Sequence, residues 1–229
     1  MKLKGILFDF NGTLFFDSDM HVEAFKRVFA EYGMVAPPRE TMIERFFGRN
    51  NRTIYLENFN ENATDEEIAR FIEKKENAYF DICRELGDEL SLAKGAEEFL
   101  DAVKEMGIPY CLATGSEKGS VDFYMDILDL GRWFTFDNIV HENGTFAGKP
   151  APDIYRLAAR KIGLDPSECL VFEDGTSGIM SANAAGVGAV VVVYDKKYPS
   201  PLNDKTRVDE VMFDHTDWKN TLSKYLDLE

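Results

Sequence analysis

The sequence predicts an α/β protein built on a doubly wound parallel sheet, with an α-helical segment inserted after the first strand. Three observations predict it. Continuous apolar runs recur along the chain, helical patterns lie between them, and the stretch from about residue 17 to 88 breaks the alternation. Strands that read as unbroken apolar runs suit a sheet covered on both faces, and strand–helix alternation builds such a sheet.

The first run, "GILFDF" (5–10), reads as a buried strand. The insertion that follows holds no convincing strand. Asp17 or Ser18 is expected to cap its first helix, since short polar side chains satisfy the open N–H groups of a helix start. Its last segment, "ATDEEIARFIEKKENAYFDICREL", opens with Thr64 and carries Glu67 three residues later, a capping box. The apolar stripe Ile68, Phe71, Ile72, Tyr79, Ile82, Cys83, Leu86 follows at helical spacing.

Alternation then resumes near Ser91. Helix "AEEFLDAVKEMG" precedes strand "IPYCLAT" (108–114), and helices "GSVDFYMDILDLG" and "DIYRLAARKIG" precede strand "CLVFED" (169–174). Helix "SGIMSANAAG", strand "VGAVVVVY" (187–194) and a weaker strand "EVMFD" (210–214) complete the series. The expected division is a core of residues 1–15 and 89–229 and a helical insertion of residues 16–88.

Composition sets limits on partners. The 229 residues are 45% hydrophobic and 29% charged, with a net charge of -15. Such acidity without a basic patch argues against nucleic acid and anionic membranes. It also means that a phosphorylated substrate needs local positive charge. Cys83, Cys111 and Cys169 are widely spaced, without metal spacing, and read as reduced thiols. The N-terminal apolar run is too short for a signal peptide and lacks a cleavage site, so a cytoplasmic protein is expected. No segment is long enough to span a membrane. Nothing in the chain suggests an obligate partner, so a monomer is expected.

Chemistry-bearing residues gather where parallel strands end, which is where sites form in open α/β sheets. The first strand leads to Asp9-Phe10-Asn11-Gly12-Thr13. The second leads to Thr114-Gly115-Ser116, a hydroxyl with backbone N–H groups running into a helix, suited to an anion. Glu173-Asp174 are adjacent carboxylates able to hold a hard divalent cation. "GKPAPDIY" presents Lys149 from a loop stiffened by Pro150 and Pro152, before a helix beginning at Asp153. Each short motif alone is common. All four in order, each at a strand end or its loop, are specific.

Together "DFNGTL", "ATGS", "GKPAPD" and "FEDGTSGIMSANAAG" make the chain resemble the haloacid dehalogenase superfamily, in the branch of β-phosphoglucomutases and small phosphosugar phosphatases. The resemblance spans the whole chain, and the helical insertion resembles that branch's cap domain. It implies a Rossmann-like core, Mg²⁺, and an aspartyl-phosphate intermediate formed on a small phosphorylated metabolite. By that resemblance Asp9 attacks phosphorus and binds the metal, with Asp174 and the backbone carbonyl of Asn11 as further ligands and Glu173 acting nearby. Thr114 and the Gly115 and Ser116 amides grip the phosphoryl oxygens, and Lys149 neutralises charge beside Asp9.

Asn11 departs from the pattern. Phosphatases and mutases of this branch usually carry aspartate there, as the acid and base of the two half-reactions. An amide keeps the shape and the backbone carbonyl but transfers no proton, and general acid–base catalysis is worth about 10²–10⁴-fold. The expected activity is therefore a phosphatase or phosphotransferase whose proton-transfer role is impaired or supplied elsewhere, faster on acyl phosphates or phosphoanhydrides. Alternatives are a β-phosphoglucomutase-like isomerase and a phosphometabolite-binding relative without turnover. Carbon–halogen cleavage is disfavoured by Glu173-Asp174 and by the missing aromatic residue at position 11.

Cap residues are expected to choose the substrate. His21 sits where the family often places a substrate-facing histidine. "FFGRNNR" (46–52) resembles its specificity loop: Gly48 fits, but the family's arginine position falls on Asn51, between Arg49 and Arg52. Lys75 lies on the apolar stripe of its own helix, where an unpaired ammonium is costly to bury, so it is expected to face the cleft. Lys74, off that stripe, is expected to be solvated.

Overall fold

The computed structural model describes residues 2–47 and 51–226. It divides into two compact units: Met1–Phe16 with Ser91–Glu229, and Asp17–Leu90.

The first unit is built on a parallel sheet of strands β1 (Gly5–Phe8), β2 (Tyr110–Glu117), β3 (Ile139–Glu142), β4 (Cys169–Glu173), β5 (Ala189–Val193) and β6 (Glu210–Met212). Their order is β3-β2-β1-β4-β5-β6. The chain winds outward from β1 in both directions, which makes the Rossmann-like doubly wound arrangement. Register is regular around the centre, with Ile6 opposite Tyr110 and Leu170. Between β2 and β3 it shifts between Thr114 and Glu117, an irregular stretch within β2.

Helices cover both faces, so β1, β4 and β5 are buried at every residue. On one face Leu7, Cys111, Val171 and Val190 pack with Ile154, Tyr155 and Ala158 of α7 (Asp153–Lys161) and Ile179 and Ala182 of α8 (Thr176–Ala185). On the other, Phe8 stacks on Phe172 with ring centroids 5.3 Å apart and meets Phe99 edge-on at 5.4 Å. Phe99 belongs to α5 (Ala96–Glu105) and stacks on Trp218 of α9 (Trp218–Tyr225). Removing one such buried ring costs about 3–5 kcal/mol. Helix α6 (Lys118–Ile127) follows β2 directly.

Two elements depart from the sequence-based expectation. β3 is an edge strand with only two apolar residues, and α9 is short. Neither presents a long periodic pattern.

The second unit is helical: α1 (Ser18–Glu31), α2 (Arg39–Phe46), α3 (Asn51–Asn58) and α4 (Asp65–Leu86). Both halves of the expected capping box form at Thr64, whose hydroxyl accepts from the Glu67 N–H. The stripe of α4 packs on α1, and a cluster of rings closes the interior, with Phe29 4.5 Å from Phe59 and Tyr55 4.9 Å from Phe71. The expected cap at Asp17 is corrected. It occupies the N-cap position but makes no side-chain capping bond. Its buried carboxylate instead accepts from the Tyr79 hydroxyl at 2.7 Å and lies 3.2 Å from His21 Nε2. Among the described residues no helix is long and apolar enough to cross a membrane.

Candidate active site

β1 stops at Phe8, one residue before its first reactive side chain. The Asp9 N–H still bonds to the Phe172 carbonyl at 2.9 Å, which anchors the backbone to β4 while the carboxylate projects past the strand end. Asp9 is only 6% exposed. Burial, opposed by Lys149 and reinforced by Glu173, pushes its carboxyl up to about 7.

Lys149 comes from the loop before α7. Its ammonium bonds to Asp9 Oδ1 at 2.5 Å and to Glu173 Oε1. Burial acts to lower its pKa, but the two carboxylates outweigh burial and hold it above the ordinary lysine value. The pair of short contacts is therefore between a charged lysine and acidic partners.

Glu173 is the last residue of β4, and both its oxygens are committed. Oε1 accepts from Lys149 and from the Tyr155 hydroxyl at 2.9 Å, and Oε2 accepts the Asp174 and Gly175 N–H groups at 2.8 Å each. A carboxylate offers about four lone-pair sites. This one orients its neighbours more than it reaches outward. Asp174, next along, is tied through the Thr13 hydroxyl, which bonds to Asp9 Oδ2 at 3.2 Å and to Asp174 Oδ1 at 3.4 Å.

Two glycines permit this closeness. A Cβ on Gly12 would stand 2.0 Å from Asp174 Oδ2, and Gly12 also has φ +82°, where side chains are strained. A Cβ on Gly178, in α8, would fall 1.5 Å from Glu173 Oε1.

The donor set fits a hard cation. Asp9, Glu173 and Asp174 each offer an oxygen within 4.8 Å of the others, and carboxylate oxygens suit Mg²⁺.

Position 11 meets the end of β2. Asn11 Nδ2 donates to the Tyr124 hydroxyl at 3.0 Å, and Asn11 Oδ1 accepts from the Ser116 hydroxyl at 2.9 Å. The Ser116 N–H, expected to face an anion, instead donates to the Thr114 hydroxyl at 3.1 Å. The Thr114 side chain thus braces the turn. Gly115 lies between them, with room around its Cα.

In the helical unit, Lys75 is 4% exposed and its ammonium is paired within that unit. Its Nζ lies 3.0 Å from His21 Nδ1 and 2.9 Å from Glu76 Oε1. Asn51 Nδ2 donates to the same Glu76 oxygen at 3.3 Å. Arg52 is exposed and pairs with Asp65. Lys74 is half-exposed and pairs with Glu31. Gly48 and Arg49 lie outside the described residues.

Thr13, Tyr155, Tyr124 and Gly178 were not marked by the sequence. Tyr124 meets Asn11 113 residues away and Thr13 meets Asp174 161 residues away, so these two contacts have no local pattern to announce them.

Known proteins resemble this chain closely. A family model described as haloacid dehalogenase-like hydrolase matches residues 3–186. Protein CbbY of Rhodobacter capsulatus is 30% identical over 229 residues, covering 96% of this chain and 93% of its own length. The fructose-1-phosphate phosphatase YqaB of Escherichia coli is 28% identical, over 83% of this chain and 97% of its own. A crystal structure of a HAD hydrolase, family IA, variant 3, from Entamoeba histolytica superposes with a TM-score of 0.84 at 31% identity, over 99% of both chains.

Proposed function

The chain belongs to the haloacid dehalogenase-like hydrolases, and from that membership we propose that it is a Mg²⁺-dependent phosphatase or phosphotransferase with Asp9 as nucleophile. Its substrate is a small phosphorylated metabolite. The names of its relatives, a fructose-1-phosphate phosphatase among them, support a sugar phosphate or a similar compound. The observation that carries the reading is the cluster at two strand ends: Asp9 after β1, and Glu173 and Asp174 at the end of β4, with one partly buried lysine between them.

Asp9 attacks phosphorus through a carboxylate oxygen, the bond to the leaving oxygen breaks, and water then cleaves the aspartyl phosphate to inorganic phosphate. Asp9, Asp174 and the backbone carbonyl of residue 11 would hold the Mg²⁺, with Glu173 behind them. When bound, the ion supplies positive charge between carboxylate and phosphoryl group. Lys149 supplies the rest and stays protonated while doing so. Thr114 and the Gly115 N–H line the phosphoryl position. Positioning and charge stabilisation provide most of the rate in such transfers.

Asn11 favours a second reading, a phosphometabolite-binding relative, because the amide moves no proton. The intact nucleophile and lysine support turnover instead. The three buried thiols are compatible with a reducing cytoplasm.

One assay separates the readings. Phosphate release from acetyl phosphate or p-nitrophenyl phosphate is expected to require Mg²⁺ and to vanish in Asp9→Ala. Asn11→Asp is expected to raise turnover of sugar phosphates toward the roughly 10²–10⁴-fold worth of acid–base catalysis. If both substitutions are silent, only the binding reading survives.

A further inference from the structure

Asn11 is held at both ends of its amide by partners from two different elements. Ser116 lies in the irregular stretch of β2 between Thr114 and Glu117, and its hydroxyl donates to Oδ1 at 2.9 Å. Tyr124 lies on α6, and its hydroxyl accepts from Nδ2 at 3.0 Å. Packing sets the phenol in place. Tyr124 is 3% exposed, and its ring lies 4.8 Å from that of Phe10 and 6.3 Å from that of Phe15. Both phenylalanines belong to the loop that carries Asn11, so ring packing and hydrogen bond brace the same segment.

The direction of the hydrogen bond matters. An amide N–H makes the Tyr124 oxygen an acceptor, whereas a carboxylate at this position would accept a hydrogen bond from the phenol. These two partners hold the amide in place, and the amide itself has no proton to give.

We infer that Tyr124, together with the Ser116 hydroxyl, is a positioning residue for Asn11: it fixes the amide in one orientation and so adapts the site to substrates whose leaving oxygen departs without a proton. Acyl phosphates, phosphoanhydrides and aryl phosphates form that class. The inference rests on Asp9 being the nucleophile, and it narrows the substrates of that same site.

Two measurements test it. The first needs no turnover. The Asn11 side-chain amide signals, identified in a ¹⁵N spectrum by their loss in Asn11→Asp, are expected to exchange slowly with solvent. Tyr124→Phe is expected to speed that exchange at least about tenfold while leaving the backbone spectrum of the sheet in place. Unchanged exchange overturns the clamp.

The second is a double-mutant comparison on acetyl phosphate and a series of aryl phosphates. Tyr124→Phe is expected to lower kcat about 3- to 10-fold, the worth of one neutral hydrogen bond, with KM unchanged and with larger losses for poorer leaving groups. In an Asn11→Ala background the same substitution is expected to be silent, because no amide remains to be held. A loss that persists there, equal for every substrate, would mean that Tyr124 only supports the fold. A natural chain that releases no phosphate would sink the nucleophile and the substrate class with it, and amide exchange would still decide the clamp.

Discussion

Lys149 Nζ stands 2.5 Å from Asp9 Oδ1 while also bonding to Glu173, so a single, largely covered ammonium balances carboxylates from two strand ends. Lys149→Met removes that balance without changing the side-chain length much. The remaining carboxylates then repel each other and any phosphoryl group between them. Phosphate release is expected to fall about 10²–10³-fold, the usual loss when a preorganised charge is removed. Stability is expected to fall by about 3–5 kcal/mol, because breaking a buried pair leaves its partner uncompensated. Steady-state assays and denaturant melts check both. Activity within tenfold of the natural chain would remove Lys149 from the chemistry.

Two glycines in helices should respond oppositely to the same substitution. Gly178→Ala places a methyl group where Glu173 Oε1 now lies, with no room for it. The expected cost is about 1–3 kcal/mol for overpacking, together with lost activity as Glu173 and the lysine it holds are displaced. Gly119, near the start of α6, has nothing within 4 Å of an added Cβ. Gly119→Ala is expected to stabilise by about 0.5–1 kcal/mol through helix propensity alone. Thermal melts of the two variants test the geometry directly. A Gly178→Ala chain as stable and active as its parent would contradict the packing of Glu173 against α8.

Legibility in the sequence followed the range of the interactions. β1, β4 and β5 were readable because a strand buried on both faces is apolar at every position. The box at Thr64 was readable because both its bonds close within three residues. β3 was not, since an edge strand needs few apolar residues and its His141 and Glu142 are only half-buried. Asp17 was misread for a related reason. Capping is a local rule, but the hydroxyl that claims its carboxylate belongs to Tyr79, 62 residues away. Lys75 on an apolar stripe signalled something unusual, yet its partner His21 lies on another helix. Within the site, motif residues announced themselves by type and order. Thr13, Tyr155 and Tyr124 did not, because a hydroxyl on a core-facing position reads as packing until its hydrogen-bond partner is known.

The thiols should be chemically quiet. Burial pushes Cys83 up to about 11 and Cys111 and Cys169 each up to about 12. Reaction requires the thiolate and access, and all three are buried. Ellman's reagent at pH 8 is expected to modify none of the three in the native chain within minutes, and all of them in denaturant. Rapid native labelling of even one would show that a helix or strand covering it opens readily.

His215 should make stability fall on mild acidification. Its side chain is fully buried, Nε2 lies 3.0 Å from the Thr13 carbonyl, and among the described residues Nδ1 has no partner. Rings of Phe99 and Phe172 pack around it. Burial lowers its pKa, and the Thr13 carbonyl and Asp214, which favour the charged form, do not overcome it. Above the unfolded value of 6.5 both states are neutral and no penalty arises. As pH falls below that value, the unfolded chain takes up a proton that the folded chain refuses, and stability declines until the depressed folded pKa is reached. The decline is limited to about 1.4 kcal/mol per pH unit for one proton. His215→Gln keeps a donor for the Thr13 carbonyl and removes the titration. Urea melts at pH 7.5, 6.5 and 5.5 are therefore expected to run parallel for parent and variant down to about 6.5 and to diverge below it, the parent losing more. Curves that stay parallel throughout would mean that the imidazole accepts its proton inside the fold.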